Sequence, residues 1–203
     1  MHAGSPGTLV QEKFGRLAGL MGSLLYSINC SLNGYSADAG GDFSWMAPSE
    51  EMVASHTRDL EDAAVVLYGR RMYEAMAVWE TDPAATAGSP GADRFTAVWR
   101  APRKIVVSST LSQPWTERTE LEAALTPELV ERAKAAGNAT IGGPTLAKSA
   151  LQMGLVDRLA LVVHPVIVGG GTKVLPDGVF HNLRLLDEQR FGNGAVRLDY
   201  AVG

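Results

Sequence analysis

Cysteine is nearly absent: Cys30 is the only one in 203 residues. No internal disulfide and no cysteine-based metal site can form within one chain, and a reducing, cytoplasmic setting fits. The four histidines (His2, His56, His164, His181) show no ligand spacing such as H-E-x-x-H, so no metal is expected. No apolar run approaches the roughly 18 residues of a membrane span. Positive charge is not in excess. The net charge of −4 argues against a nucleic-acid partner but leaves room for a local cationic pocket. The first 20 residues lack the charged start and apolar core of a signal peptide. They read as an extension, from upstream coding or added for expression, ahead of a natural start at Met21. One domain is expected over residues 21–203.

Apolar residues make up 46% of the chain and charged residues 20%, which supports a packed core. Short apolar runs read as buried strands: Ser23–Cys30, Ala63–Gly69, Arg103–Ser109, the "NATIGG" stretch and "DRLALVVHPVIVGGG". Helical segments follow them. Ser49 is an N-cap candidate with Glu50 and Glu51 in the first turn. Met72, Met76 and Trp79 have helical spacing. Thr126-Pro127 opens a helix that closes at Gly137, and another runs from Pro144 to Gly154. Asp82–Asp93 reads as a small-residue loop. Val196, Leu198, Tyr200 and Val202 alternate after Gly192-Asn193-Gly194, which predicts a hairpin with one solvated face. The order predicts an α/β fold with a mostly parallel central sheet flanked by helices, mixed at its C-terminal edge.

In such a sheet, ligands sit outside the carboxyl ends of the strands. Three junctions belong there: Gly69-Arg70-Arg71, Ser108-Ser109 and Gly142-Gly143-Pro144-Thr145. Gly142 and Gly143 have no side chains to keep a pyrophosphate away from the backbone. Pro144 gives up an N–H that has no helical partner, and the N–H of Thr145 carries partial positive charge. Gly69 with Arg70 repeats this logic and adds a guanidinium. With the serine hydroxyls, the set suits a dinucleotide bearing an extra phosphate, NADPH. Singly, each feature is ordinary turn or surface chemistry; the G-x-G-x-x-G fingerprint after the first strand is absent.

The segments "VVLYGRRMYEAM", "RKIVVSS" and "ATIGGPTLAKSAL", in that order, resemble the dihydrofolate reductase superfamily. "LLYSINCSLNGY" and "LALVVHPVIVGGGTKVL" are similar to its branch built on the reductase domain of the bifunctional riboflavin-biosynthesis deaminase-reductase. The resemblance implies a dihydrofolate-reductase-like fold, NADPH as hydride donor, a heterocyclic or imine/carbonyl substrate like that of 5-amino-6-(5-phosphoribosylamino)uracil reductase, and a homodimer. It puts Arg70, Ser108 and Ser109 on the adenosine phosphates and Gly143, Pro144 and Thr145 at the pyrophosphate turn. It also implies a cis peptide at Gly142-Gly143.

Two positions depart from that pattern. Asn33 stands where the family carries a substrate-contacting aspartate, and Met72 where it carries threonine. Asn33 and Asp42 are the catalytic candidates, Asp42 or water as proton source. Trp45 is read either as a stacking platform for a flat heterocycle or as a core anchor. Gly169-Gly170-Gly171, with Gly170 at its centre, is read either as a substrate-phosphate nest or as a tight turn, and His164-Pro165 either as substrate lining or as structure. A divergent dihydrofolate reductase and a nucleotide binder without turnover are the alternatives.

Overall fold

The structure, a computed structural model, describes residues 22–203 apart from 83, 85, 86, 89 and 90. The expected 1–20 extension lies outside the described residues, as does part of the 82–93 loop.

Buried apolar runs make the middle of the sheet. Strands β1 (Leu24–Ser31), β3 (Val65–Gly69), β4 (Arg103–Val107) and β6 (Ala139–Gly142) are sealed over most of their length. That is the pattern of a parallel sheet covered on both faces. With β5 (Thr119–Glu122), β7 (Arg158–His164), β9 (Leu183–Arg190) and β10 (Val196–Val202), they form one sheet in the order β5-β4-β3-β6-β1-β7-β10-β9. The six strands from β5 to β7 are parallel; β10 and β9 close the edge antiparallel, as expected. A two-stranded ribbon pairs β2 (Tyr35–Ala37) with β8 (Thr172–Lys173).

Five helices flank the sheet among the described residues: α1 (Glu50–Glu61), α2 (Arg70–Thr81), α3 (Ala92–Arg100), α4 (Pro127–Ala135) and α5 (Pro144–Gln152). On one face, α4 and α5 set Leu129, Val130, Ala147 and Leu151 against Leu24, Tyr26, Leu67 and Ile141. On the other, α2 and α3 set Tyr73, Phe95 and Trp99 against Val66, Tyr68 and Val106, while Met52 of α1 packs on Val162, Phe191 and Ala195. Fully burying a large side chain of this kind contributes roughly 1.5–3 kcal/mol.

Three elements differ from the sequence expectation. The segment read as one long strand through Gly171 stops at His164, because Pro165 has no N–H for the ladder. The loop expected to run to Asp93 gives way to α3 from Ala92. The polar edge strand β5, "TELE", has no apolar run to announce it.

Candidate active site

The helices differ in how they begin. Ser49 Oγ accepts from Met52 N at 3.4 Å at the start of α1, and Thr126 Oγ1 accepts from Leu129 N at 3.2 Å at the start of α4. Their first turns also carry acidic residues: Glu50 and Glu51 in α1, Glu128 in α4. Helix α3 lacks a side-chain cap but keeps Asp93 in its first turn. Helices α2 and α5 have neither: their N-caps are Gly69 and Gly143, no side chain caps them, and no acid lies in either first turn. Each therefore leaves N–H donors and the positive end of its dipole unanswered.

These two uncapped starts are neighbours. They follow adjacent strands, with Tyr68 opposite Gly142 in the β3–β6 ladder. A β-carbon at Gly69 would stand 3.7 Å from Leu146 Cβ of α5, and one at Gly143 would stand 3.1 Å from Met72 Cβ of α2. Two anion-ready helix ends thus converge at the carboxyl edge of the sheet.

The glycine pair has packing reasons of its own. A β-carbon at Gly142 would fall 2.6 Å from Tyr68 Cε1, so the Tyr68 ring excludes any side chain there. Gly143 has φ +91°, a conformation that side chains strain. The cis peptide expected at Gly142-Gly143 is corrected: every described peptide bond is trans, and the positive φ of Gly143 makes the turn instead. Met72, where the resemblance leads one to expect threonine, uses its Cβ and Cγ to pack against this pair.

Arg70 stands beside these helix ends, with Nε on Glu74 at 2.6 Å and Nη1 on Thr110 Oγ1 at 2.8 Å. Its guanidinium is held at the surface but not consumed. Arg71 is exposed at the same helix start. Ser108 Oγ accepts from the backbone N–H groups of Thr110 and Leu111, which fixes the loop after β4, and Ser109 is exposed beside it. Since β4 pairs with β3, the serines and Arg70 share one edge, and Thr110 links them. A cationic side chain, hydroxyls and two open helix ends fit the phosphates of a dinucleotide; a nicotinamide dinucleotide so held would supply hydride when bound.

The catalytic expectations fare differently. Asn33 is a loop clamp. Its Nδ2 donates to Val168 O at 2.7 Å, while its Oδ1 accepts from Val168 N and from Ser31 Oγ. An aspartate could not donate to the Val168 carbonyl, which accounts for the amide at this position. Asp42 is fully exposed and bonds Ser44 through both oxygens. Those hydrogen bonds, the backbone one first, hold its carboxyl below the usual range, so it is ionised at neutral pH. In this arrangement the Asp42 carboxylate accepts hydrogen bonds from Ser44 and donates none.

Trp45 is half-buried, donates Nε1 to Asp42 O at 3.3 Å, and stands edge-on to His164 with ring centroids 6.0 Å apart. Gly171 is required by the fold, since a β-carbon there would lie 2.1 Å from Ala37 O. Gly170, at φ +143°, has open space around it.

The sequence matches the family described as RibD C-terminal domain over residues 23–197. The chain belongs to that family. It is 23% identical over 186 residues to the uncharacterized protein YyaP of Bacillus subtilis (strain 168), which covers 87% of this chain and 93% of that one. Its fold is similar to a Shewanella sp. PV-4 protein provisionally assigned to riboflavin biosynthesis, with TM-score 0.71, 17% identity, and coverage of 89% and 99% of the two chains. It is also similar to the Thermotoga maritima diaminohydroxyphosphoribosylaminopyrimidine deaminase/5-amino-6-(5-phosphoribosylamino)uracil reductase, with TM-score 0.61 and 14% identity. That match covers 94% of this chain and 59% of the bifunctional one.

Within this RibD-type fold, the sequence reading missed a polar network beneath α1. Arg197, buried, is bidentate to Asp199 and to Asp59, and Ser27 Oγ donates to Asp59 at 2.7 Å. Burial pushes the Asp59 carboxyl up, but the nearby His56 ring and hydrogen bonds from Arg197 and Ser27 outweigh it and hold that group well below the carboxylate range. Asn29 sits between His56 and His164 at 3.1 and 3.2 Å. The one available signal was the polar alternation Ser27, Asn29, Ser31 inside an apolar strand. A cavity of about 240 Å³ opens at the opposite, amino-terminal edge among Ser23, Asn138, Arg158 and Asp187. Asp59, Arg197 and Asp199 line it already paired with one another, so it offers little to a ligand.

Proposed function

We propose that the chain is an NADPH-dependent reductase of a small flat heterocyclic or imine/carbonyl substrate, similar in reaction to 5-amino-6-(5-phosphoribosylamino)uracil reduction. The observation that carries the reading is the convergence of two uncapped helix starts beside Arg70 and Ser108-Ser109. Family membership supports a reductase-like chemistry, and one similar structure bears the name of such a reductase. The open N–H groups of α2 and α5, those of Gly143 and Thr145 among them, are assigned to the pyrophosphate. Arg70, Arg71, Ser108 and Ser109 are assigned to the extra phosphate of the adenosine half, and Gly69 and Pro144 keep both helix ends bare. The substrate side is assigned to Trp45, Gly170 and the Asn33 clamp, with the proton drawn from water.

The test is a thermal melt with each cofactor. A ligand at about 100 times its dissociation constant adds roughly 2.7 kcal/mol. NADPH is expected to raise the melting temperature more than NADH, and Arg70→Ala to reduce that difference by about 1.5–3 kcal/mol. Equal shifts with both cofactors refute the phosphate assignment. NADPH binding without oxidation across pterin, aminouracil and dicarbonyl panels favours the nucleotide binder without turnover.

We also propose a homodimer. Among the described residues, the cover from α4 and α5 thins out from β7 toward β10 and β9, so Leu161, Leu198, Tyr200 and Val202 are only half-buried and Leu183 and Leu185 are 44% and 48% exposed. Glu188 and Arg190 share that face, opposite Leu198 and Val196. An apolar patch with one charge of each sign is self-complementary across a two-fold axis. Light scattering at micromolar concentration should give twice the chain mass, and Leu185→Lys should give a monomer; a monomeric wild type sinks the proposal.

A further inference from the structure

Asn29 joins two histidines from distant parts of the chain, and its chemistry constrains both. Its Oδ1 accepts only, so the His164 Nε2 facing it at 3.2 Å carries its hydrogen. Its Nδ2 donates only, so the His56 Nε2 facing it at 3.1 Å is bare. The hydrogen of neutral His56 then sits on Nδ1, turned toward Asp59 Oδ2 at 3.8 Å. His164 is 3% exposed at the carboxyl end of β7, beside Trp45. Its second nitrogen, Nδ1, makes no hydrogen bond among the described residues and is not one of the sealed, unpartnered atoms. It is therefore the nitrogen of His164 left open to an outside partner at the carboxyl end of β7. In this state Nδ1 of His164 is an acceptor.

Protonating His56 breaks the arrangement. Its Nε2 then carries a hydrogen and meets the Asn29 N–H donors head on. The amide relieves the clash by turning over, which presents Oδ1 to His56 and Nδ2 to His164. The Nε2 of His164 must now accept, and its hydrogen moves to Nδ1.

We propose that Asn29 couples the charge on His56 to the tautomer of His164, so that the group facing the substrate changes from hydrogen-bond acceptor to donor when His56 takes up a proton. The functional meaning rests on the reductase reading above, but the coupling itself does not. His56 is the accessible end of the pair: a quarter of its side chain is exposed and a carboxylate stands next to it. Burial, and then the charge on His56, push the His164 ring below the usual histidine range, which favours its neutral form. The charged groups around the pair are Asp59 on α1 and Arg197 and Asp199 on β10, bound to one another. Glu51, earlier on α1, is turned to Gly192 N. Histidine in general changes charge between about pH 5 and 8, which sets the range to be examined. Its low-pH state offers a donor to a carbonyl or imine acceptor, the polarity a hydride-accepting group needs. On the reductase reading, Asn29 and His56 are positioning residues that act through His164.

The experiment is ring-nitrogen NMR of the full chain labelled with 15N-histidine, without cofactor, from pH 5 to 8. His164 is expected to report the Nε2–H tautomer at high pH and the Nδ1–H tautomer at low pH, with the midpoint at which His56 protonates. His56→Gln keeps an acceptor for Asn29 but cannot titrate, and should lock His164 as Nε2–H throughout. Asn29→Asp presents only acceptors, and should lock it likewise while His56 still titrates. A His164 tautomer that ignores the His56 titration overturns the proposal, as does one that still switches in either variant. NADPH-driven reduction is measured separately over the same pH range. If the chain reduces nothing, the reductase reading fails while the tautomer result still decides the coupling.

Discussion

Helices α1 and α4, and helices α2 and α5, begin at one edge of the same sheet and are finished in opposite ways. The first pair carries a Ser or Thr cap and acids in the first turn; the second carries glycine and no acid. A side-chain cap contributes about 1 kcal/mol, so α2 and α5 forgo stability that a single hydroxyl would supply. Space does not forbid a cap at Gly69, where a β-carbon meets only Leu146 Cβ at an ordinary 3.7 Å. On the function proposed above, the two adjacent helix ends left bare, where two others are closed, are the place a negatively charged partner takes.

Three substitutions can break or sharpen that contrast. The largest effect is expected from Gly143→Ala. Strain at φ +91° and the 3.1 Å approach to Met72 Cβ should cost stability on the order of 1–3 kcal/mol, and NADPH binding should be lost in the folded fraction. A titration beside a thermal melt checks this; a lower melting temperature with retained affinity would make the glycine a packing residue only.

Gly69→Asp asks the converse question. The carboxylate should cap α2 and stabilise the fold by about 1 kcal/mol. It should also weaken NADPH on the order of 100-fold, since like charges a few ångströms apart near a surface repel by a few kcal/mol. Stability and affinity rising together would remove the anion site from α2. The smallest effect belongs to a closed helix: Thr126→Ala should cost roughly 1 kcal/mol in denaturant unfolding and leave cofactor affinity unchanged. A loss of affinity there would show that capped and uncapped ends do not divide the labour.

Much of this was legible in the chain. The runs in β1, β3, β4 and β6 are apolar because both faces of a parallel strand are buried, and that pattern survives without coordinates. Ser49 and Thr126 announced their helices because capping is local, reaching three residues along. Strand β5 was not legible, because an edge strand buries little and "TELE" carries no apolar signature. Arg70 could be placed at a helix start from its neighbours alone; its hold on Thr110, 40 residues on, could not.

The sequence by itself determined the α/β alternation, the antiparallel closing edge and the bare glycine starts of α2 and α5. Each depends on a residue's own conformational freedom or on neighbours within one turn. Only the tertiary structure decided that Tyr68 leaves no room for a side chain at Gly142, that Asn33 must donate to the Val168 carbonyl, and that Asn29 stands between His56 and His164. Those contacts join residues from 27 to 135 positions apart, and short contacts across such separations exist only once the sheet has set its strand order.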